Sequence, residues 1–376
     1  MTGLYLHIPF CRRKCPYCDF FSVAADDPHL PGYPGLLQQH LQRAAGDGWQ
    51  GPVDTVYFGG GTPSLLDPAT VGGLLEGVAR HLGLAAAAEI TLEANPGTVT
   101  AASLAGYRAA GVNRLSLGLQ SLASGQLAAL GRLHDAAQGA EAVRLARRAG
   151  FTSLSLDLIF ALPEQTLAEL AREIDGYLAL SPEHLSCYGL TAEPGTPFRQ
   201  RVQTGSLTLP DGEFYADAFL LLHERLTAAG WEHYEIANYA RPGHACRHNQ
   251  GYWVRRPCLG IGAGAHSFRA QGWGERRAVP TDLAAYAAAL QAGRDPAESL
   301  ESFDRAGAMA ETLYLGLRTR AGVSEAAFRE RFACGVAEAY PTAVDRLRPW
   351  LALIDGEWRL TVAGWLLYDR LIQEFL

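Results

Sequence analysis

The stretch Cys11-Arg-Arg-Lys-Cys15-Pro-Tyr-Cys18 places three thiols within eight residues, at the spacing C-x3-C-x2-C. This spacing allows all three thiolates to reach one inorganic centre. An ordinary iron–sulfur cluster or structural zinc site takes four protein ligands. A [4Fe-4S] cluster held by these three cysteines would therefore keep one iron without a protein thiolate. The motif predicts a cluster whose open iron binds a small ligand.

Two other uses of the same thiols are open at this point. Zinc bound by the three cysteines with His7 or His29 is one alternative, although zinc sites usually pair C-x2-C knuckles in a closed tetrahedron. A disulfide is the other. The chain has seven cysteines, an odd number that is thinly spread, and an intracellular protein keeps its thiols reduced. Both alternatives explain the close spacing of the three cysteines less well than an iron–sulfur site does.

Composition limits the class of protein. The 376 residues carry a net charge of −7, and their 32 basic side chains form no stripe, which argues against nucleic-acid binding. The sequence opens with no signal peptide and contains no apolar run of about 20 residues, the length of a membrane span. We expect a cytoplasmic protein whose partners are small molecules or other proteins.

Short apolar runs alternate with helical patterns along the first half of the chain. The helices are expected over Leu36–Ala45, after the N-cap Asp67, over Ala101–Ala110 after Thr100, after Asp135, and over Thr166–Leu178. Six strand–helix units at this spacing indicate an α/β fold with a parallel sheet, a curved or partial (β/α)6 barrel. The expected strands are Leu4–Ile8, Asp54–Phe58, Glu89–Glu93, Arg114–Leu119, Ser153–Phe160 and Leu185–Leu190.

The carboxyl ends of these strands carry the residues that are chemically informative. In barrels of this kind the functional residues lie at that rim. The rim would collect the three cysteines, the turn Gly59–Thr62, Glu93, Gln120 and Asp157. Taken alone, the glycine turn is more often only a turn, and the two carboxylates are as readily explained by salt bridges at the rim.

Together the motifs resemble a known superfamily. The cysteine loop after a first strand, followed by a glycine triplet after the second, is similar to radical S-adenosylmethionine proteins. More narrowly, the chain resembles the group formed by oxygen-independent coproporphyrinogen III oxidase (HemN) and the heme chaperone HemW. The matching motifs run from Tyr5 to at least Ser267 and are Tyr5–Cys11, Phe58–Pro63, Glu93–Pro96, Leu117–Gln120, Leu130–His134 and Asp157–Pro163.

The resemblance implies the cofactors and their ligands. Cys11, Cys15 and Cys18 would bind three irons of a [4Fe-4S] cluster, and S-adenosylmethionine would chelate the fourth iron. By the same resemblance, Gly60, Gly61 and Thr62 contact the methionine end of that molecule. Glu93, Gln120, Arg132 and Asp157 match positions that bind its remainder, while Tyr5 and Tyr17 line its edge.

Two departures from the oxidase favour the chaperone. The oxidase has a further cysteine two places after its third ligand, where this chain has Phe20. It also has a longer leader than the ten residues before Cys11, so we expect no such segment over the site. The segment Cys246–Trp253 contains the pattern His-Asn-x-x-Tyr-Trp, which is similar to the HemW signature. We expect a heme chaperone, with the oxidase or another radical enzyme as the alternatives.

The resemblance makes heme a further ligand, and His248 within this pattern is the candidate axial ligand. A neutral imidazole is a common ligand of heme iron. A structural turn in which His248 and Asn249 satisfy backbone groups is an equally good explanation. His244, Cys246, Cys258 and His266 are the rival ligands.

Three domains are expected along the chain. They are a radical S-adenosylmethionine core over residues 1–235, a connecting segment over 236–300 with a second glycine turn at Gly260–Ser267, and a C-terminal helical, wing-like module over 301–376. This module would contain a strand at Trp358–Leu360 and a helix over Val362–Phe375. Heme-accepting proteins are the expected partners, with membrane cytochromes as candidates, and a homodimer is left open.

Overall fold

The structure of the protein, a computed structural model, describes residues 2–49 and 52–376. Its strands are β1 Thr2–Ile8, β2 Phe10–Cys11, β3 Val23–Ala24, β4 Val53–Gly60, β5 Leu84–Ala94, β6 Arg114–Gln120, β7 Leu154–Phe160, β8 His184–Gly189, β9 Glu232–Glu235, β10 Asn238–Ala240, β11 Cys258–Ile261, β12 His266–Arg269, β13 Glu275–Ala278, β14 Glu298–Ser302, β15 Val323–Ser324, β16 Leu351–Ile354 and β17 Glu357–Leu360.

The α-helices alternate with the strands of the first half and dominate the last quarter. They are α1 Tyr33–Gly46, α2 Pro68–His81, α3 Ala101–Ala109, α4 Ser124–Ala129, α5 Ala136–Arg148, α6 Leu167–Ala179, α7 Pro197–Gln203, α8 Gly212–Ala228, α9 Arg247–Trp253, α10 Leu283–Gln291, α11 Arg305–Gly316, α12 Glu325–Phe332, α13 Val336–Ala339, α14 Pro341–Leu347, α15 Val362–Leu366 and α16 Tyr368–Leu371.

The six predicted strands form the centre of one sheet. Its order is β14-β13-β12-β11-β1-β4-β5-β6-β7-β8-β10-β9, and the neighbours from β1 to β8 are all parallel. The end strands β14 and β9 are not paired with each other in the described residues, so the sheet stays open as a partial barrel. The predicted fold class is confirmed. Because parallel strands share one direction, all six carboxyl ends meet at the same rim.

Helix caps define where the helices between the barrel strands begin. Asp67 accepts a hydrogen bond from the backbone N–H of Thr70, and Pro68 follows it at the first helical position. Thr100, Asp135 and Thr166 each form a reciprocal capping box with the residue three places on. These caps satisfy backbone donors that would otherwise lose their partners at a helix start. The three predicted caps, Asp67, Thr100 and Asp135, are therefore confirmed, whereas Thr166, predicted as the first residue of its helix, is that helix's N-cap.

The segment after residue 235 extends the sheet in a way that the sequence pattern did not indicate. Strand β11 lies parallel beside β1, with Gly3 opposite Cys258 and Leu6 opposite Ile261. The second glycine turn is thus partly a strand, since Gly260 and Ile261 belong to β11. Strands β13 and β14 lack an alternating apolar pattern, because β14 is exposed along its length and β13 is half-buried. That is why periodicity missed them.

The C-terminal module combines short helices with a three-stranded antiparallel sheet in the order β15-β17-β16. The predicted single helix over Val362–Phe375 is wrong. It is divided into α15, α16 and a 3-10 turn, because the backbone of Leu367 leaves the helical region with φ −105° and ψ 12°. Trp365 is buried here, and its indole N–H donates to the carbonyl of Leu317 at 3.1 Å.

One continuous apolar core joins the barrel to this module. It includes Leu4, Phe58 and Leu156 of the barrel strands as well as Phe328 and Trp365 of the module. None of the helices in the two described ranges is both long and apolar enough to cross a membrane.

Candidate functional site

A cavity of about 390 Å³ opens at the carboxyl ends of the parallel strands. It brings together residues from five strands and from the cysteine loop. The predicted site residues that line it are Cys11, Cys15, Tyr17, Cys18, Gly60, Gly61, Thr62, Glu93, Gln120, Arg132 and Asp157. Two predicted residues, Tyr5 and His248, lie outside this cavity.

The three cysteines are free thiols, and each is partly exposed. Two neighbours donate hydrogen bonds to them, because the Thr62 hydroxyl lies 3.6 Å from Cys11 Sγ and Arg132 Nη1 lies 3.6 Å from Cys15 Sγ. Donors of this kind stabilise thiolates that bind metal. The donor set and the room in the cavity therefore fit an iron–sulfur cluster with three protein ligands.

The zinc alternative gains no support from the geometry. Within the described ranges, no three histidine, cysteine or carboxylate side chains are arranged to hold a single metal ion. Both ring nitrogens of His7 are hydrogen-bonded, to the Tyr5 hydroxyl at 3.0 Å and the Phe21 carbonyl at 3.2 Å. His29 pairs with Asp27 at 2.7 Å.

The glycine turn after β4 is required by close packing and by backbone conformation. Gly60 has φ 113°, a left-handed value that favours glycine. A Cβ atom on Gly61 would lie 2.7 Å from the carbonyl oxygen of Phe10 and 3.0 Å from Cys11 Sγ. The turn therefore holds bare backbone directly against the start of the cysteine loop.

Glu93 and Asp157 face the cavity, and neither forms a direct ion pair with a cationic side chain of the described residues, although Arg114 acts on both carboxyl groups from a distance. Glu93 accepts hydrogen bonds from the Tyr57 hydroxyl at 2.8 Å and the backbone N–H of Gly60 at 3.3 Å. Burial, with a smaller contribution from Asp157, raises the pKa of Glu93 to about 7. Burial likewise raises the pKa of Asp157 to about 6, against the smaller opposing effect of Arg114 and Arg132. Two buried carboxyl groups with raised pKa values favour a cationic ligand, which would restore their charge. The geometry therefore does not favour the salt-bridge explanation.

Gln120 is held in an unusual conformation at the end of β6. Its φ is 70°, and the register of β6 against β7 shifts between Leu117 and Gln120. A left-handed conformation is uncommon in residues other than glycine, and it often occurs next to a functional site. The irregularity places Gln120 at the cavity instead of continuing the ladder.

Asn95 was missed as a site residue by sequence reasoning, although it lies within the quoted motif Glu93–Pro96. Its amide donates to Thr62 Oγ1 at 3.0 Å, and its carbonyl oxygen accepts from Arg132. Arg132 also donates to the Gly118 carbonyl at 2.8 Å, while its buried Nε has no partner among the described residues. The position of Asn95 in the sequence could have identified it, because a polar residue directly after a barrel strand lies at the rim. Other lining residues that were missed are Ser116, Ile159, Tyr188 and Leu190.

Tyr5 lies in a second cavity of about 690 Å³ that adjoins the first. The two cavities share Lys14, Asp19 and Phe20 of the cysteine loop. Tyr5 is stacked against Tyr57 with ring centroids 6.2 Å apart. Tyr5 therefore lines the second cavity and not the cluster cavity.

His248 is buried in α9, and both of its ring nitrogens are occupied. Nδ1 is hydrogen-bonded with Thr55 Oγ1 at 3.0 Å and Nε2 with the Tyr252 hydroxyl at 2.8 Å. Its backbone N–H donates to Glu89 at 3.0 Å. Burial lowers the pKa of the imidazole to about 3. This arrangement leaves no ring nitrogen for an iron and favours the structural explanation of the motif.

Sequence comparisons agree with the motifs. The model of the Radical SAM superfamily matches residues 5–175, and that of the HemN C-terminal domain matches residues 303–367. A protein of Synechocystis sp. called heme chaperone HemW is 41% identical over 332 residues, which cover 86% of this chain and 79% of the relative. The protein of that name from Escherichia coli is 45% identical over 70% of this chain and 69% of its own length.

Structural comparison shows the same fold. Coproporphyrinogen III oxidase (HemN) from Escherichia coli, described as a radical SAM enzyme, superposes with a TM-score of 0.85. The match covers 100% of this chain and 89% of that chain at 23% identity. At this identity the likeness establishes the fold and not the reaction. From the motifs, the cavity and these matches together, the chain belongs to the HemW family of the radical SAM superfamily.

Proposed function

We propose that this protein binds heme and transfers it to acceptor hemoproteins, while carrying a [4Fe-4S] cluster with S-adenosylmethionine at the open iron. The cavity at the strand ends supports the cofactor part most directly. It is lined by three free thiols and by two carboxyl groups whose pKa values are raised. The heme part is supported by the relatives, which are called heme chaperones and match over most of the chain.

In this proposal Cys11, Cys15 and Cys18 hold the cluster. When bound, the cluster supplies an electron and one open coordination position. Thr62 and Arg132 stabilise the thiolates through the hydrogen bonds described above. The buried Nε of Arg132, which has no partner among the described residues, is placed to bind a carboxylate.

The remaining residues of the cavity suit the other groups of S-adenosylmethionine. Glu93 and Asp157 would take its ammonium group or its ribose hydroxyls. The backbone of the turn at Gly60 and Gly61 approaches the methionine end without the obstruction of a side chain. Tyr17 packs with Leu130 and Ile159 in a small apolar cluster that would limit solvent access on one side.

The side chain of Phe20 argues against the oxidase. It is 65% exposed and lines both cavities, at the position where that enzyme has a further cysteine. A phenyl ring can neither donate a proton nor form a thiyl radical. It offers an apolar face to a planar macrocycle instead.

One anaerobic experiment tests the proposal. The cluster is reconstituted, and the protein is then assayed for hemin binding, for hemin transfer to an apo-cytochrome, and for conversion of coproporphyrinogen with S-adenosylmethionine and reductant. We expect hemin binding and transfer without conversion. Steady conversion, or a failure to bind hemin, would refute the proposal.

Cysteine variants test the cluster assignment in the same preparation. Cys15→Ala should lose the visible absorption of the cluster, because two thiolates cannot hold four irons. Cys334→Ala is the matched control, since this thiol is partly exposed but lies outside the cavity. A cluster that survives in Cys15→Ala and is lost in Cys334→Ala would overturn the assignment.

A further inference from the structure

The second cavity has the size and the lining for a planar apolar ligand. Its volume of about 690 Å³ falls within the range of roughly 300–1,000 Å³ that small-molecule sites occupy. It lies between the cysteine loop and the strands β11 to β13 and shares residues with the cluster cavity. The aromatic side chains that line it are Tyr5, Phe20, Phe21, Tyr252 and Phe268. Such surfaces stack on a macrocycle and exclude water from it.

The imidazole of His266 lines this cavity, and its ring nitrogens have no hydrogen-bond partner in the described residues. His266 stands at the start of β12 and is exposed. The other histidine of the lining, His7, has both ring nitrogens occupied by Tyr5 and Phe21. His248, behind the wall, is occupied as well. Of the histidines described at this cavity, His266 alone offers a lone pair to a metal.

The rim of the cavity is also suited to carboxylate groups. Lys14 and Arg276 both line it, whereas Asp19 is the one carboxylate in the described lining. Arg276 shares Glu311 with Arg255, so these three side chains retain one positive charge. Lys14 donates to the carbonyl of Phe20 at 2.8 Å, which holds its ammonium group beside the exposed ring. Two cations at the edge of an apolar slot match a ligand with an apolar face and two acidic tails.

We propose that heme binds in this second cavity, with a ring nitrogen of His266 as the axial ligand of its iron and with Lys14 and Arg276 beside its propionates. The inference rests on the proposed heme-binding function. The only bond that forms is a dative bond from the imidazole lone pair to the iron, so no electron or proton is transferred. The heme would lie next to the cluster cavity, with the ring of Phe20 between the two sites.

The test is a hemin titration of the protein with its cluster intact, followed at the Soret band. His266→Ala should weaken hemin binding by roughly ten-fold or more and shift the band. Added free imidazole should restore the band position, because it can occupy the vacated position on the iron. Thr281→Trp provides a second variant, since Thr281 is exposed at the cavity and an indole there would fill the slot. It should weaken binding while leaving the His266 ring in place.

His244→Ala is the matched control, because His244 is a rival candidate ligand that precedes the segment Cys246–Trp253 and does not line the cavity. It should bind hemin as the unmodified protein does. Unchanged affinity and band position in His266→Ala would overturn the inference while leaving the proposed function intact. A lack of hemin binding by the unmodified protein would instead refute the proposed function itself. Circular dichroism and S-adenosylmethionine affinity report whether each variant is folded.

Discussion

The raised pKa of Glu93 makes a quantitative prediction about the protein without its cluster. The pKa of this carboxyl is about 7 in the folded protein against an ordinary value of 4.5, mainly because of burial. The folded state therefore holds the proton more strongly than the unfolded state. The difference corresponds to about 3 kcal/mol of stability, which is present below pH 4.5 and is lost as the pH rises through 7. About 1.4 kcal/mol of this should disappear between pH 6 and pH 8.

Glu93→Gln isolates this contribution, because glutamine has nearly the shape of the protonated carboxyl and cannot ionise. Buried histidines such as His248, with a pKa lowered to about 3, act in the opposite direction, so the unmodified protein alone is not informative. The difference in stability between the variant and the unmodified protein is informative, because the contribution of the histidines cancels in it. We expect the free energy of unfolding of the variant to exceed that of the unmodified protein by an amount that grows from pH 6 to pH 8.

Urea unfolding of the cluster-free protein at several pH values, followed by tryptophan fluorescence, measures this difference. Glu298→Gln is the control, because Glu298 lies on the exposed strand β14 and should show no such trend. A pH-independent difference between Glu93→Gln and the unmodified protein would refute the burial argument. So would a difference that shrinks as the pH rises.

Three further outcomes are expected. Gly61→Ala should destabilise the protein by about 1–3 kcal/mol and lower the iron content after reconstitution, because its Cβ would lie 2.7 Å from the Phe10 carbonyl oxygen. Gly73→Ala is the control and should have neither effect, because a Cβ atom at Gly73 has no neighbour within 4 Å. Glu89→Ala should cost about 1–3 kcal/mol in urea unfolding, because two backbone N–H groups at the start of α9 lose their acceptor. His248→Ala should lower the unfolding midpoint yet leave the hemin affinity of the folded fraction unchanged; a selective loss of hemin binding at unaltered stability would restore it as the ligand.

Much of the fold was predictable because its signals are local. Each barrel strand is a short apolar run, and Asp67, Thr100, Asp135 and Thr166 cap their helices through backbone groups three residues away. Neither feature depends on distant parts of the chain. The antiparallel strands β13 and β14 were not predictable in this way, because exposed charged residues show no periodicity.

The sequence by itself determined that the cysteine loop, the glycine turn, Glu93, Gln120 and Asp157 meet at the rim, because a parallel sheet brings all its strand ends together wherever the strands lie in the chain. It could not determine which polar groups are free. Thr55 and Tyr252 occupy the ring of His248, and Asn95 links Thr62 to Arg132, through contacts that arise only when distant segments pack. The second cavity has the same origin, since β11 must lie beside β1 before His266 and Phe20 face one space. Hydrogen-bond partners and burial depend on packing, and packing is a property of the tertiary structure.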